Sequence, residues 1–454
     1  MRESKMTRRA FLAAATTTAT LAFSGWAAKP NTARVIPRKL SPNEKLNIAG
    51  IGVGGMGRSD IMNCRSENIV ALCDVDWKKA EETFHDLPDP KKYKDYRKML
   101  EEMDKEIDAV TVSTPDHMHA PAAYMAMMMG KHVRVQKPLT HTIAEARLLA
   151  KTAKETGVVT QMGNQGHAGD GVRELCEMVW AGAIGEVKEA HIWTNRPIWP
   201  QGMPKPLPGR PVPEELDWDL WIGVAPMRPY NPGYAPFKWR GWWDFGCGAI
   251  GDMACHIMDP AFWSLKLGEA PEYSVEVLTQ EDMTEQSPPK KSIIKFTFPA
   301  RADMGPVDIY WYDGGLLPPR PEGVPEDQKL GDGDNGSLFI GTKGVMTSGC
   351  YGGESRLLPD ELMQDYKRPE PTIPRIPDGN SYANWIACCK SGQQACSDFS
   401  YAGPLTEVAN MGNVALLAGE KIVFDVASMK IKNNRAANRL LTKKYRKGWR
   451  DMPL

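Results

Sequence analysis

The sequence predicts an α/β protein in which a doubly wound parallel sheet is followed by a second domain built on a mostly antiparallel sheet. Three observations predict this fold class. A glycine-rich turn joins two apolar runs near residue 50, strand and helix patterns then alternate as far as residue 163, and strand-like segments separated by loops predominate beyond it. At 454 residues the chain is long for one core, which also favours two domains.

The first strand and helix carry the most informative pattern. An apolar run ends in Gly-x-Gly-x-x-Gly at residues 52–57, a helix-like segment follows, and a second apolar run ends at Asp74. The first glycine permits a tight turn, the second lets the backbone approach a pyrophosphate, and the third lets the helix pack on the strand. A carboxylate at Asp74 can accept hydrogen bonds from an adenosine ribose and repels a 2′-phosphate, so NAD is expected rather than NADP. The expected cofactor-binding residues here are Gly52, Gly54, Gly55, Met56, Gly57 and Asp74. A glycine turn in an unrelated α/β protein is the alternative.

The remaining elements follow in order. Helices are predicted at residues 77–85, 96–103, 121–129 and 142–156, and strands at 107–112, 132–136 and 158–162. Beyond residue 163, helices are predicted at 170–181, 380–390 and 404–420, and strands at 187–194, 292–298, 307–311 and 336–340. Residues 196–241 are rich in proline, and residues 313–335 and 359–380 read as surface loops.

Composition excludes several classes of function. Lysine plus arginine and aspartate plus glutamate number 56 each, so there is no basic excess with which to bind nucleic acid. No run after residue 30 is long and apolar enough to span a membrane. The nine cysteines form no CxxC pair, and most are expected to be buried.

The N-terminus resembles a twin-arginine export signal. Arg8 and Arg9 precede a mildly apolar run, and small residues near Ala28 suit cleavage. Residues 1–40 are therefore predicted to be signal and linker, and the mature protein to be a soluble, periplasmic or otherwise exported protein. A cytoplasmic protein with a basic tail is the alternative.

Polar residues at three places could carry chemistry. Lys137 directly follows a predicted strand, and the two histidines His117 and His119 follow the preceding strand at the same sheet edge, where such domains hold ligands. Asp252 and His256 are four residues apart, so on a helix they share a face and could form a hydrogen-bonded acid–base pair. Each has a structural alternative. Lys137 could be an ordinary surface lysine, the two histidines could belong to a polar loop, and Asp252 and His256 could be a buried pair that only stabilises the helix. Asp252, His256 and Asp259 are too few ligands, at poor spacing, to form a metal site.

Tryptophan is concentrated in one stretch. Seven of the fourteen tryptophans lie between residues 193 and 243. Indole faces stack well on sugar rings, although a long irregular segment can also use its aromatic residues to pack on itself or at an oligomer interface.

Four motifs in this order resemble the glucose–fructose oxidoreductase/inositol dehydrogenase (Gfo/Idh/MocA) family: the glycine turn, Thr114-Pro115, Lys137-Pro138 and Asp252-x-x-x-His256. The resemblance spans most of residues 42–450 and includes a C-terminal tail similar to that of exported bacterial members. It implies a Rossmann domain at residues 41–163 and a C-terminal α/β domain with a large open sheet at 164–454, parts of which can pack back on the first domain. It also implies a homo-oligomer, a dimer or tetramer.

The resemblance also implies site residues. In the family a Glu-Lys-Pro motif supplies a catalytic lysine, which falls on Lys137, and an aspartate and a histidine that assist proton transfer fall on Asp252 and His256. This chain departs from the family at Gln136, and an uncharged neighbour is expected to leave Lys137 less strongly held. Further expected cofactor contacts are Thr114, Pro115, His117, His119, Gln136 and Lys137. The expected substrate contacts are Asn164, Gln165, Trp239, Trp242, Trp243 and His256.

Three functions remain open at this point. The first is an NAD-dependent oxidoreductase acting on a sugar or glycoside hydroxyl, at C3 for example, with a cofactor that is retained and recycled because an exported enzyme meets no NAD pool. The second is an NAD-dependent glycosidase that works by oxidation, elimination, hydration and reduction. The third is a non-catalytic NAD- or sugar-binding protein.

Overall fold

The glycine turn leads out of the first strand of a six-stranded parallel sheet. This computed structural model describes residues 37–38, 41, 43–449 and 452–453, so the predicted export signal lies outside the described residues. The strands of this first sheet are β1 Asn47–Ile51, β2 Asn68–Cys73, β3 Lys91–Tyr93, β4 Ala109–Val112, β5 His132–Val135 and β6 Thr160–Met162. Their order is β3-β2-β1-β4-β5-β6, and every pair is parallel. The strand order reverses between β1 and β4, and ligands of such sheets bind at that point, beyond the carboxyl ends of the strands.

Helices cover both faces of this sheet, which explains why its central strands read as continuous apolar runs. Every residue of β4 and β5 is buried. The helices are α1 Met56–Met62, α2 Glu81–Asp86, α3 Tyr96–Glu102, α4 His119–Met128 and α5 Ile143–Thr156. α5 begins with a capping box between Thr142 and Glu145 and ends at Gly157, which has φ of 71°.

The second sheet has nine strands and is open. They are β7 Val187–Thr194, β8 Glu272–Glu281, β9 Lys291–Phe298, β10 Val307–Tyr312, β11 Asn335–Gly341, β12 Val345–Ser348, β13 Arg356–Leu358, β14 Ile422–Asp425 and β15 Lys430–Ile431. Their order is β13-β12-β11-β7-β10-β9-β8-β14-β15, and only the β7–β10 pair is parallel. Side chains of β9 alternate between buried and half-buried, as expected of a sheet with one face on the core. The predicted fold class is confirmed.

Helices between the two sheets join them into one core. They are α6 Asp170–Trp180, α7 Trp218–Ile222, α8 Gly248–Ile257, α9 Asp259–Ser264, α10 Ser381–Ser391 and α11 Phe399–Ala418. α11 packs against α5 of the first domain and against α8 and β8 of the second. α10 packs back on the first sheet, where Trp385 is fully buried in a cluster with Ile48 and Ile61. No helix of the described chain has the length and apolar character that crossing a membrane requires.

Some predicted boundaries were wrong. The helix predicted from residue 77 begins at Glu81, because residues 77–80 form a turn. The helix predicted from Pro404 begins five residues earlier at Phe399, where Asp398 caps it, and the proline lies inside the helix. The strands β8 and β12 and the helix α7 were not predicted.

Candidate active site

A cavity of about 650 Å³ follows the carboxyl edge of the parallel sheet. At one end it is lined by the glycine turn and Asp74, and at the other by Lys137, Asp252 and His256. The cavity therefore extends from the predicted cofactor site to the predicted catalytic residues. Of the other predicted cofactor contacts, Thr114, Pro115 and Gln136 line it as well.

The glycine turn requires the glycines that it contains. Gly52 has φ of 75°, a left-handed conformation that favours glycine. A Cβ atom at Gly57 would lie 1.7 Å from the carbonyl oxygen of Gly52, so only glycine lets α1 pack against β1. Gly54, Gly55 and Met56, the first residue of α1, line the cavity where this motif places a pyrophosphate.

Asp74 holds the turn from the end of β2. One carboxylate oxygen accepts hydrogen bonds from the main-chain N–H groups of Val53 at 2.8 Å and Gly54 at 3.0 Å, and the other accepts from Asp76 N–H at 2.9 Å. Burial raises the pKa of Asp74 to about 6, although these three donors oppose the rise. The carboxylate retains acceptor capacity on the cavity side, so it fits an adenosine ribose. Together the turn, the acid and the cavity volume fit a dinucleotide.

Lys137 forms an ion pair at the opposite end of the cavity. Its Nζ lies 2.9 Å from Asp252 Oδ1 and 2.8 Å from the carbonyl oxygen of Asp252. The same Oδ1 accepts a hydrogen bond from Arg240 Nε at 3.1 Å. Burial alone would raise the pKa of Asp252, but the charges of Lys137 and Arg240 outweigh it and hold that pKa well below its usual range. Asp252 is therefore a carboxylate that positions two cations.

His256 stands beside this ion pair without joining it. The expected hydrogen bond between Asp252 and His256 is wrong, since Asp252 Oδ1 accepts instead from Lys137 and Arg240 and His256 Nδ1 has no partner among the described residues. Burial lowers the pKa of His256 to about 3, and the charge of Lys137 adds to this effect. The ring is consequently neutral in the protein alone. Its edge meets the ring of Tyr351 at a centroid distance of 5.1 Å.

Gln136 links the Asp60 carboxylate to the main chain of Lys137 through hydrogen bonds. Its Nε2 donates to both carboxylate oxygens of the buried Asp60, at 3.1 and 3.0 Å, and its Oε1 accepts from Lys137 N–H at 3.2 Å. Gln136 adds no charge beside Lys137, and Asp252 holds the ammonium group directly.

His117 and His119 do not reach the cavity, contrary to the prediction that they contact the cofactor. The ring nitrogens of His117 lie 3.3 and 3.0 Å from the carbonyl oxygens of Phe245 and Trp221. Those of His119 lie 2.8 Å from the carbonyl oxygens of Thr114 and Pro138. Burial lowers the pKa of both histidines, to about 3 for His117.

The prediction for His117 and His119 is wrong because their side chains point away from the cavity. The turn Asp116–Met118 directs both histidines inward and places Asp116 and Met118 on the cavity wall instead. The two imidazoles therefore tie loops together.

The predicted substrate contacts divide into two groups. Gln165, Trp239 and His256 line the cavity. Trp242 and Trp243 do not line it, because their indole N–H groups donate to the main-chain oxygens of Gly233 at 3.0 Å and Thr284 at 3.1 Å, and Trp242 lies in a packed aromatic cluster. The prediction is also wrong for Asn164, which is buried and accepts a hydrogen bond from Ser397 at 2.7 Å.

Sequence reasoning missed several residues of the cavity wall. The Arg240 guanidinium lies 4.2 Å from the centre of the Trp239 ring and 4.9 Å from that of Phe237. The arginine directly follows a tryptophan in the sequence, a pattern that could have indicated a cation–π contact. Tyr351, with φ of 62°, comes from a turn after β12, about 100 residues from α8, and no motif marks it. Trp199 and Arg196 also line the cavity.

Comparisons with known proteins agree with this architecture. Residues 46–164 match the family model described as "Oxidoreductase family, NAD-binding Rossmann fold", and residues 188–299 match "Oxidoreductase family, C-terminal alpha/beta domain". The first match confirms the prediction of NAD as the cofactor.

Among curated proteins, a "Glycosyl hydrolase family 109 protein" of Shewanella pealeana is 31% identical over 173 residues, 36% of this chain and 37% of that protein. The "Alpha-N-acetylgalactosaminidase" of Shewanella oneidensis is 30% identical over 177 residues, 36% of this chain and 38% of that protein. The chain thus matches little more than a third of the length of these relatives.

Two solved structures share the fold. The WlbA dehydrogenase of Bordetella pertussis, in complex with NADH and UDP-GlcNAcA, has a TM-score of 0.57 and 15% identity, covering 83% of this chain and 98% of that one. Levoglucosan dehydrogenase, in complex with NADH and L-sorbose, has a TM-score of 0.56 and 16% identity, covering 84% of this chain and 99% of that one.

Proposed function

Because the chain belongs to the Gfo/Idh/MocA family of oxidoreductases, we propose that it is an NAD-dependent enzyme acting on a hydroxyl group of a sugar or glycoside. The observation that carries the proposal is that the Lys137–Asp252 ion pair and a neutral His256 line one cavity that begins at the dinucleotide motif. Sugar hydroxyls are weak acids, so their oxidation needs a proton acceptor and a donor that stabilises the developing oxyanion.

These two residues supply complementary functions. Bound NAD would accept a hydride from the carbon that carries the hydroxyl group. The ammonium group of Lys137, positioned by Asp252, donates a hydrogen bond to the hydroxyl oxygen and stabilises its negative charge. His256, which also lines the cavity, accepts the hydroxyl proton. Trp239 and Gln165 on the cavity wall suit the apolar face and the remaining hydroxyls of a sugar.

The cofactor is proposed to stay bound between turnovers. The paired arginines and the apolar run at the N-terminus support export by the twin-arginine route, which carries folded proteins. Outside the cytoplasm no NAD pool is maintained, so each cycle must re-oxidise the bound cofactor on the enzyme. A second substrate can do so, or the reaction can be redox-neutral overall. We further propose a homo-oligomer, a dimer or tetramer.

A glycosidase is the second candidate, and two observations favour it. Two of the curated relatives are glycoside hydrolases by name. In addition, the cavity opens past exposed apolar side chains, Phe237 at 45% and Ile198 at 63% exposure, which offer a surface to an aglycone. Oxidation at C3 acidifies the C2 hydrogen, elimination then releases the aglycone from C1, water adds, and reduction at C3 returns the electrons.

A chromogenic glycoside supplied without any electron acceptor separates the two candidates. A glycosidase releases aglycone over many turnovers, whereas an oxidoreductase stops after about one equivalent of its cofactor is reduced. Lys137→Ala and His256→Ala should each abolish turnover while NAD still copurifies, and Lys188→Ala, at an exposed lysine of β7, should change nothing. Unchanged turnover in either cavity variant would remove that residue from the mechanism.

A further inference from the structure

A segment of the second domain pairs with the end of β2, beside the ribose-binding acid. We call residues 215–224 the strap. An antiparallel bridge joins Leu216 of the strap to Asp76. Main-chain hydrogen bonds run from Asp217 N–H to Val75 C=O at 2.8 Å and from Trp77 N–H to the strap at 3.2 Å. The strap is thus attached to the first domain two residues after Asp74.

The C-terminal segment, residues 443–449, holds the strap from the other side. Arg446 donates to the carbonyl oxygen of Gly223 at 2.9 Å and pairs with the Asp219 carboxylate at 2.7 Å, and its own N–H bonds to Val224 C=O at 3.0 Å. Three residues later, Trp449 is 7% exposed, and the Arg97 guanidinium lies 4.1 Å from the centre of its ring. Two chain segments far apart in sequence therefore meet over α3.

Both segments form the cavity wall near Asp74. Leu220 and Trp221 of the strap and Trp449 of the C-terminal segment line the same cavity as Asp74, together with Tyr96 at the start of α3. In this fold the acid at the end of β2 marks the adenosine half of the cofactor. Indole and phenol rings bury flat heteroaromatic bases well.

We propose that the strap and the C-terminal segment enclose the adenosine half of NAD and must separate from the first domain before the cofactor can leave. Departure then requires breaking the main-chain bonds at Val75 and Trp77 together with the contacts of Trp449 on Tyr96 and Arg97, while the Arg446–Asp219 pair makes the strap and the C-terminal segment move as one. Cofactor exchange is consequently slow on the timescale of turnover. This inference rests on the proposed function only for the presence of NAD, and the sugar chemistry does not enter it.

The test measures exchange of the bound cofactor. Purified NAD-loaded protein is mixed with excess isotopically labelled NAD, desalted at intervals and denatured, and the released cofactor is analysed by mass spectrometry. The wild type should exchange over hours. Trp449→Ala and Arg446→Ala should each exchange at least about tenfold faster, because each removes one attachment of the enclosing wall.

Matched controls keep the result interpretable. Trp180→Ala removes a partly exposed tryptophan at the end of α6, and Arg439→Ala removes an exposed arginine near the C-terminus, so both should exchange at the wild-type rate. Should Arg446→Ala fail to fold, Trp449→Ala carries the test alone. The inference is overturned if the wild type exchanges its NAD within the mixing time, or if Trp449→Ala and Arg446→Ala exchange theirs at the wild-type rate. Rapid exchange by an enzyme that still turns over glycosides overturns the strap alone, and slow exchange without sugar chemistry overturns the proposed reaction alone.

Discussion

Replacing Gln136 with glutamate places two carboxyl groups face to face beneath Lys137. The amide nitrogen of Gln136 now lies 3.0 and 3.1 Å from the two oxygens of Asp60. Both residues are buried, at 7% and 1% exposure. Asp60 already accepts hydrogen bonds from Ser113 at 2.6 Å and Tyr382 at 2.7 Å, so it cannot turn away without leaving those hydroxyl groups unpaired.

The distance between the two carboxyl groups determines how much stability the variant loses. Two unit charges about 3 Å apart repel by roughly 5–6 kcal/mol at an effective dielectric constant of about 20. Keeping one proton on the pair costs about 1.4 kcal/mol for each pH unit above the ordinary pKa of a glutamate, which is the smaller penalty at neutral pH. The folded variant therefore binds a proton that the unfolded chain releases. Its free energy of unfolding must fall relative to wild type as the pH rises.

Urea unfolding of both proteins at pH values of about 5, 6.5 and 8 measures this difference. We expect the stability gap between wild type and Gln136→Glu to widen by about 1.4 kcal/mol per pH unit, reaching several kcal/mol at the highest pH. Gln136→Leu, which loses the hydrogen bonds without adding charge, should show a constant gap. Combining Gln136→Glu with Asp60→Asn should remove the slope. A gap for Gln136→Glu that does not change with pH refutes the reasoning.

Three further outcomes are expected. Gly57→Ala brings a Cβ atom to 1.7 Å from a carbonyl oxygen of the turn, so the variant should purify without NAD, and full NAD content on chromatography of the denatured protein would contradict this. Burial lowers the pKa of His117 to about 3 and that of His132 to about 4, so unfolding takes up protons below about pH 6.5. The free energy of unfolding should fall by about 1.4 kcal/mol per pH unit for each of the two as the pH drops from about 6.5 towards 4, and a urea midpoint constant over that range would show the assignment to be wrong. Trp239→Ala and Trp242→Ala each remove a buried indole and should each cost about 3–5 kcal/mol of unfolding free energy, but only Trp239→Ala should raise KM for the carbohydrate, and a raised KM in Trp242→Ala alone would reverse their assignments.

The cofactor half of the fold was predictable because its determinants are local in sequence. The turn at Gly52, the close approach at Gly57 and the acid at the end of β2 lie within about 25 residues, and each has a steric or electrostatic reason that needs no distant partner. The helix predicted at 142–156 begins one residue later, because the terminal signals at Thr142 and Gly157 are themselves local.

The catalytic half depends on partners that spacing does not reveal. The four-residue interval between Asp252 and His256 permits a pair, but Lys137, 115 residues away, takes the carboxylate together with Arg240. The tertiary structure, which the spacing of residues does not reveal, determines which hydrogen-bond donors reach the Asp252 carboxylate.

The tryptophans illustrate the same limit. Trp239 and Trp242 are three residues apart and belong to the same buried aromatic cluster, yet only Trp239 also lines the cavity. Their orientation depends on the loop that carries them, which has no helical or strand period to read.

The central claim is that NAD already bound to this protein reacts with a carbohydrate hydroxyl group. Rapid mixing of the purified protein with a panel of glycosides, with no cofactor added, tests it through the near-ultraviolet absorbance of reduced nicotinamide. A reactive glycoside is expected to produce this absorbance in the wild type, up to one equivalent per subunit, and not in Lys137→Ala. Turnover of a glycoside by protein that carries no dinucleotide would contradict it.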